Sequence, residues 1–209
     1  MARVSPARKL EVRSRLLEAA ARHFSEAGLE RASVDAISTA AGFAKGTVYN
    51  YFPSKEALFG AVIEEASRRA TERYREVEVG ESTREHLLAL ARADLEVLRE
   101  NESFMKVLVR EAMSFHPERY ALVMEHLEPY VKEVEAALAR GVKRGEVRAD
   151  RPVAQLALLF VGLLGLMYGQ HWGSEGQWPR LSEVPELVVT SFLDGAGARA
   201  PRRRKSSRR

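Results

Sequence analysis

Residues 33–52, SVDAISTAAGFAKGTVYNYF, read as two short helices joined by a tight turn. Ser33 opens the first, because its hydroxyl can accept a free amide of the first turn, and Asp35 sits near the positive helix end. Val34, Ile37, Ala40 and Ala41 fall at helical spacing and form the apolar face. Gly42 stands where a left-handed residue ends a helix at little cost. Phe43 is expected to face inward, and a second helix to run from about Lys45 to Tyr51. Val48 and Phe52 share its inner face. Lys45, Thr47, Asn50 and Tyr51 are left outside, all donors or flat rings. The arrangement is a helix-turn-helix, whose second helix fits a DNA major groove.

Upstream, LLEAAARHFSEAGLERAS (16–33) supplies a helix with a Gly-containing exit, and downstream YFPSKEALFGAVI (51–63) supplies a Ser-Lys-Glu helix start. With AAG, KGTVYNYF and PSKEAL at this spacing, residues 10–70 resemble the DNA-binding domain of the TetR family of transcriptional regulators. RGVKRGEVRADRPVAQLALLFVGLLGL (140–166) also resembles the start of that family's eighth helix. The resemblance implies DNA contacts from Lys45, Gly46, Thr47, Tyr49 and Tyr51, with Lys55 at a phosphate. The residue chemistry agrees. Gly46 lets the backbone approach base edges, Thr47 offers a hydroxyl and a methyl, and Asn50 can bond adenine if it points into the groove. The tyrosine hydroxyls suit phosphate, though packing against the first helix is the alternative. Ser33 is read as both cap and phosphate neighbour. The chain departs from the family pattern at Ala44, where a capping residue is usual, and at Phe43 and Ser38. Without a cap, the amides of Lys45 and Gly46 are left to face a phosphate.

The charge pattern points the same way. Net charge is +4 over 209 residues. Residues 1–55 hold nine Lys/Arg against five Asp/Glu, residues 56–198 hold seventeen against twenty-four, and residues 199–209 hold seven against none. A basic head and tail on an acidic body suit a protein that offers one end to nucleic acid. The chain has no Cys, which excludes disulfides and thiol chemistry. MARVSPARKL lacks a signal peptide's apolar core, so the cytoplasm is expected.

Helical spacing is nearly continuous and no strand alternation persists. The expected fold is all-α, with about nine helices at 8–26, 33–41, 45–51, 54–79, 84–100, 103–115, 117–144, 152–171 and 183–194. The expected domains are a helix-turn-helix head over 10–70, a ligand-binding and dimerisation bundle over 71–195, and a basic disordered tail over 196–209. The fourth helix connects head and bundle.

The stretch LALLFVGLLGLMYG (156–169) has no polar side chain but the Tyr168 hydroxyl. Fourteen residues fall short of the roughly twenty that a membrane span needs, so no membrane partner is expected. Gly162, Gly165 and Gly169 form a bare stripe that lets another helix approach. The resemblance implies a homodimer built on this helix and the last, with Leu187, Val188 and Phe192 as further interface residues, bound to a near-palindromic operator.

The resemblance also implies a small-molecule effector in the bundle. Phe104, Met105, Met113, Phe115, Tyr120 and Met124, joined by Met167, Tyr168 and Trp172, are candidate lining residues, since Met adapts to irregular apolar shapes. No carboxylate stands out in an apolar run, so an apolar or acyl effector is expected rather than a cationic one. The five His form no metal-ligand pair, and no P-loop, nucleophile elbow or paired-carboxylate motif occurs. No cofactor, metal or catalytic residue is expected. The leading reading is a repressor released by its ligand. The alternatives are an activator, a protein-responsive regulator, or a helical interaction protein without specific DNA binding.

Overall fold

The computed structural model describes residues 5–196, and the basic tail beyond Ala196 lies outside them. Among the described residues there are eight α-helices, two short 3-10 helices and no strand.

Helix α1 (Pro6–Arg31) starts at Ser5, whose hydroxyl accepts from the Arg8 amide, with Pro in the first turn. Leu16, Leu17, Ala20, Ala21 and Phe24 recur at helical spacing and are fully buried. Phe24 meets Phe59 edge to face at 5.2 Å. Gly28 (φ 75°) breaks the regular helix, so its last turn runs off-axis. A Cβ there would come within 2.9 Å of the Arg110 guanidinium. Helix α2 (Val34–Ala40) is capped by Ser33, which accepts from the Ala36 amide at 3.3 Å. Val34, Ile37 and Ala41 are buried, while Ala40 faces solvent. Gly42 (φ 79°) makes the expected left-handed turn.

The α-helix expected over 45–51 is replaced by a single 3-10 turn, Thr47–Asn50. Two features explain the correction. No side chain caps the turn, and Gly46 is left-handed (φ 78°), which takes Lys45 and Gly46 out of any helix. Burial of Val48 and Phe52 holds what remains.

Helix α3 (Lys55–Tyr74) is the connector. Ser54 accepts from the Ala57 amide at 3.1 Å. It ends at Tyr74 rather than near 79, because Arg75–Val77 tighten into a turn. At 1.5 Å per residue it spans about 30 Å. It packs on α1 at the head and on α4 (Thr83–Glu100), α5 (Glu102–Ala112) and α6 (Pro117–Arg144) in the body. A capping box of Ser82 and Glu85 starts α4, and left-handed Gly145 ends α6.

Helix α7 (Val153–Gly173) packs on α5, α6 and α8 (Val184–Ala196). Over its 21 residues, which extend beyond the apolar run 156–169 at both ends, it is long and apolar enough to cross a membrane by length and composition. It packs on three helices of the chain, with 28% of its most apolar window buried. Phe160 of α7 meets Phe192 of α8 edge to face at 5.3 Å.

Ion pairs tie the end of α1 to the body. Arg119 of α6 bridges Glu30 and buried Glu111. Arg110 of α5 donates to the carbonyls of Ser25 and Glu26. Arg69 of α3 pairs with Glu18 and Glu65 and lies 4.3 Å from the Phe104 ring centre.

Candidate functional site

Two surfaces carry chemistry, and α3 joins them. The first is the tip of the head. The Ala44 carbonyl accepts from Thr47, and the Gly46 carbonyl accepts from Tyr49 at 3.0 Å. The Val48 amide donates to the buried Ser38 hydroxyl at 3.4 Å. That bond gives Ser38 a part the sequence alone did not suggest: it ties the short turn to α2. Lys45, Tyr49 and Asn50 are exposed, Gly46 and Thr47 are half-buried, and Ser33 is exposed beside its own cap. Tyr51 is partly buried and packs against the core.

Lys55 lies elsewhere than free at the surface. Its ammonium donates to the carbonyls of Glu30 and Ala32 at 3.0 and 3.4 Å, closing the end of α1. A lysine has three N–H donors, so one is left to turn outward. Two arginines absent from the candidate contacts stand beside the tip. Arg13 stacks on Phe52 at 5.6 Å and Arg15 on Phe43 at 4.9 Å. Their position comes from α1 crossing behind the motif, which local spacing does not encode.

The second surface is a cavity of about 220 Å³ between α4, α5, α6 and α7. Met105, Met113, Tyr120, Met124 and Tyr168 line it. Phe104, Phe115, Met167 and Trp172 do not. Phe104 turns into the core under Arg69. Phe115 follows the end of α5 with φ 56° and is 97% exposed. Met167 lies on another face of α7, half-buried. Trp172 donates to Glu102 at 3.0 Å and packs against Lys106.

Part of the glycine stripe faces into the chain. Gly162 and Gly165 line the cavity, and a Cβ on Gly165 or Gly169 would sit about 4 Å from Met113. Within the chain these two glycines lie against the end of α5. Val188 and Phe192 are buried within the chain, and Leu187 is half-buried. The exposed apolar face of α7 carries Leu159 and Leu166, one i,i+7 step apart, with Gly162 open beside them.

The cavity is not wholly apolar. Asp94 of α4 lies in its wall, 5% exposed. No carboxylate stands out in an apolar run of the sequence, yet the fold brings this one to the apolar wall. Tyr74, at the end of α3, donates its hydroxyl proton to Asp94 Oδ1. Tyr130 of α6 and Tyr168 of α7 also line the cavity, and both hydroxyls are buried without a hydrogen-bond partner. Burial raises the Asp94 pKa, opposed by Tyr74 and by the nearby Tyr168 hydroxyl, which makes no bond of good geometry. Burial and then the Asp94 charge hold all three tyrosines well above their ordinary pKa. Among the described residues no three His, Asp or Glu gather into a metal site.

Residues 16–62 match the family model described as bacterial regulatory proteins, tetR family. Residues 80–175 match one described as tetracyclin repressor-like, C-terminal domain. The chain is 30% identical over 180 residues to the HTH-type transcriptional repressor AcnR of Corynebacterium efficiens, covering 86% of this chain and 91% of that protein. It is 29% identical over 185 residues to the HTH-type transcriptional repressor KstR2 of Rhodococcus jostii, covering 88% and 90%. Among solved structures, the transcriptional regulator FadR from Bacillus subtilis, in complex with stearoyl-CoA, shares the fold at a TM-score of 0.76. Its identity is 20%, and the match covers 87% of this chain and 98% of that one.

Proposed function

The chain belongs to the TetR family of bacterial transcriptional regulators, and from that premise we propose that it is a homodimeric repressor released from its operator by a small, largely apolar ligand. Family membership makes it a DNA-binding regulator and not an enzyme. The remainder is our reading.

Lys45, Gly46, Thr47 and Asn50 at the tip are the residues for base edges and nearby phosphates, with Tyr49 and Ser33 toward the backbone. Tyr51 and Lys55 are partly engaged within the head, so their DNA contacts use only their outward atoms. The two relatives named as repressors favour repression. A cytoplasmic location follows from DNA as the partner. A two-fold dimer would present two tips to a near-palindrome.

One observation carries the ligand response. The cavity wall includes Asp94, whose partner Tyr74 ends the helix that begins in the head. A molecule entering the cavity therefore acts at one end of α3, and the DNA-facing tip sits at the other. The FadR complex with stearoyl-CoA supports an apolar ligand for this fold. Selecting bound sites from a random DNA pool at physiological salt tests the DNA reading: a near-palindrome should be enriched. Enrichment of no sequence would leave only non-specific binding and overturn it.

A further inference from the structure

The cavity has a graded wall. At its mouth Met113, Tyr120 and Leu158 are all more than 40% exposed. At its inner end Asp94, Tyr130 and Tyr168 are each 5% exposed or less. A ligand that fills it must leave water and bring some part of itself against these three residues.

Their hydrogen-bonding balance is uneven. A carboxylate offers about four acceptor positions, and a phenol one donor and two acceptor positions. Tyr74 fills one acceptor position on Asp94. The only other donors on these side chains are the hydroxyls of Tyr130 and Tyr168, both unpartnered. Acceptors outnumber donors even if both hydroxyls turn toward Asp94. The cavity wall contains no Lys, Arg or His. Buried polar groups left without partners are costly, and a buried carboxylate more so.

We infer that the inner end of the cavity selects a hydrogen-bond donor, an alcohol or a protonated amine, carried on an otherwise apolar ligand. The inference rests on the cavity being the effector site. A carboxylate-ended ligand would meet Asp94 with a like charge and find no cation. A hydrocarbon end, such as the methyl of an acyl chain, would leave the three residues as unsatisfied as they are now. A donor meets the carboxylate while Tyr130 and Tyr168 accept or donate around it. A cavity of about 150 Å³ holds benzene, so 220 Å³ suits a ligand whose buried part has roughly ten non-hydrogen atoms.

Calorimetric titration of the full chain with one skeleton bearing four ends tests this: 4-phenylbutan-1-amine, 4-phenylbutan-1-ol, 4-phenylbutyrate and butylbenzene, with stearoyl-CoA as a fifth probe. The amine and the alcohol should each bind at least about ten-fold tighter than the acid and the hydrocarbon. Asp94→Asn should cut the amine's advantage over the alcohol, since only the amine gains from the charge. If that variant does not fold, the comparison of probes on the unaltered chain still decides. Butylbenzene, phenylbutyrate or stearoyl-CoA binding as tightly as the donors would overturn the inference while leaving the cavity as a ligand site. Binding by none of the five would overturn the cavity as effector site as well.

Discussion

The hydroxyl of Tyr74, the last residue of α3, is bound to the carboxylate of Asp94 on α4, so the helix that carries the DNA-facing tip ends on the wall of the cavity. Both residues are almost wholly buried, and Tyr74 also stacks on Tyr130 with ring centres 4.3 Å apart. Anything that competes for Asp94 changes what holds the far end of α3. Coupling between two sites requires such an element with different contacts in each state. Tyr74→Phe keeps the stack and removes the bond. It should lower stability by about 1–3 kcal/mol, the usual cost of stranding one partner of a buried pair. The urea midpoint measures it, and an unchanged midpoint would mean the bond contributes nothing. In the same variant the amine probe should shift operator affinity less than in the parent.

Asp94 itself should weaken the fold at neutral pH. Burial raises its pKa above the ordinary value. Between the ordinary and the raised value the folded chain holds more protons than the unfolded one. This contribution to stability therefore falls as pH rises through that window. Asp94→Asn keeps an acceptor for Tyr74 and removes the charge, and its amide can donate to a tyrosine hydroxyl. The variant should melt higher than the parent at pH 8, and the gap should shrink toward pH 4. A gap that stays constant across that range would show that Asp94 is not the titrating group. Sites retained at a cost in stability are commonly the functional ones.

At the tip, two lysines separate by their surroundings. Lys45 is exposed, and Lys55 closes the end of α1. Lys45→Ala should lower the slope of log affinity against log salt by about one and leave the melting temperature unchanged. Lys55→Ala should lower both, because the carbonyls of Glu30 and Ala32 lose their donor. Equal melting temperatures for the two variants would contradict the role of Lys55 in closing α1.

Much of the head was legible in the sequence because its signals are local. Ser33, Gly42 and Ser54 each act within three residues of their partners. The recognition turn misled because helical spacing does not reveal that Gly46 is left-handed. The cavity was half legible. Phe104 and Met105 are neighbours in sequence but lie about 100° apart around a helix, and only one reaches the cavity. Asp94 sits in ARADLEVL between exposed Arg92 and Glu96, so it reads as another surface charge. Its burial arises because Tyr74, Tyr130 and Tyr168 converge on it from three other helices.

The glycines of α7 give the last test. Gly165 faces Met113 across the cavity, so Gly165→Leu should fill the cavity and abolish probe binding without changing the sedimentation of the protein. The dimer surface we propose is the outer face of α7, where Leu159 and Leu166 are 54% and 48% exposed. Exposed leucines one i,i+7 step apart on a helix this apolar form the kind of patch that a second subunit covers. Leu159→Glu with Leu166→Glu puts two like charges on each copy at that face, and burying them unpaired would be prohibitive. Sedimentation should then report a monomer for the double variant and a dimer for Gly165→Leu. With one operator half-site per monomer, the double variant should also lose operator affinity at physiological salt while its tip is unaltered. The opposite pattern, with Gly165→Leu monomeric and the double glutamate variant dimeric, would return the interface to the glycine stripe.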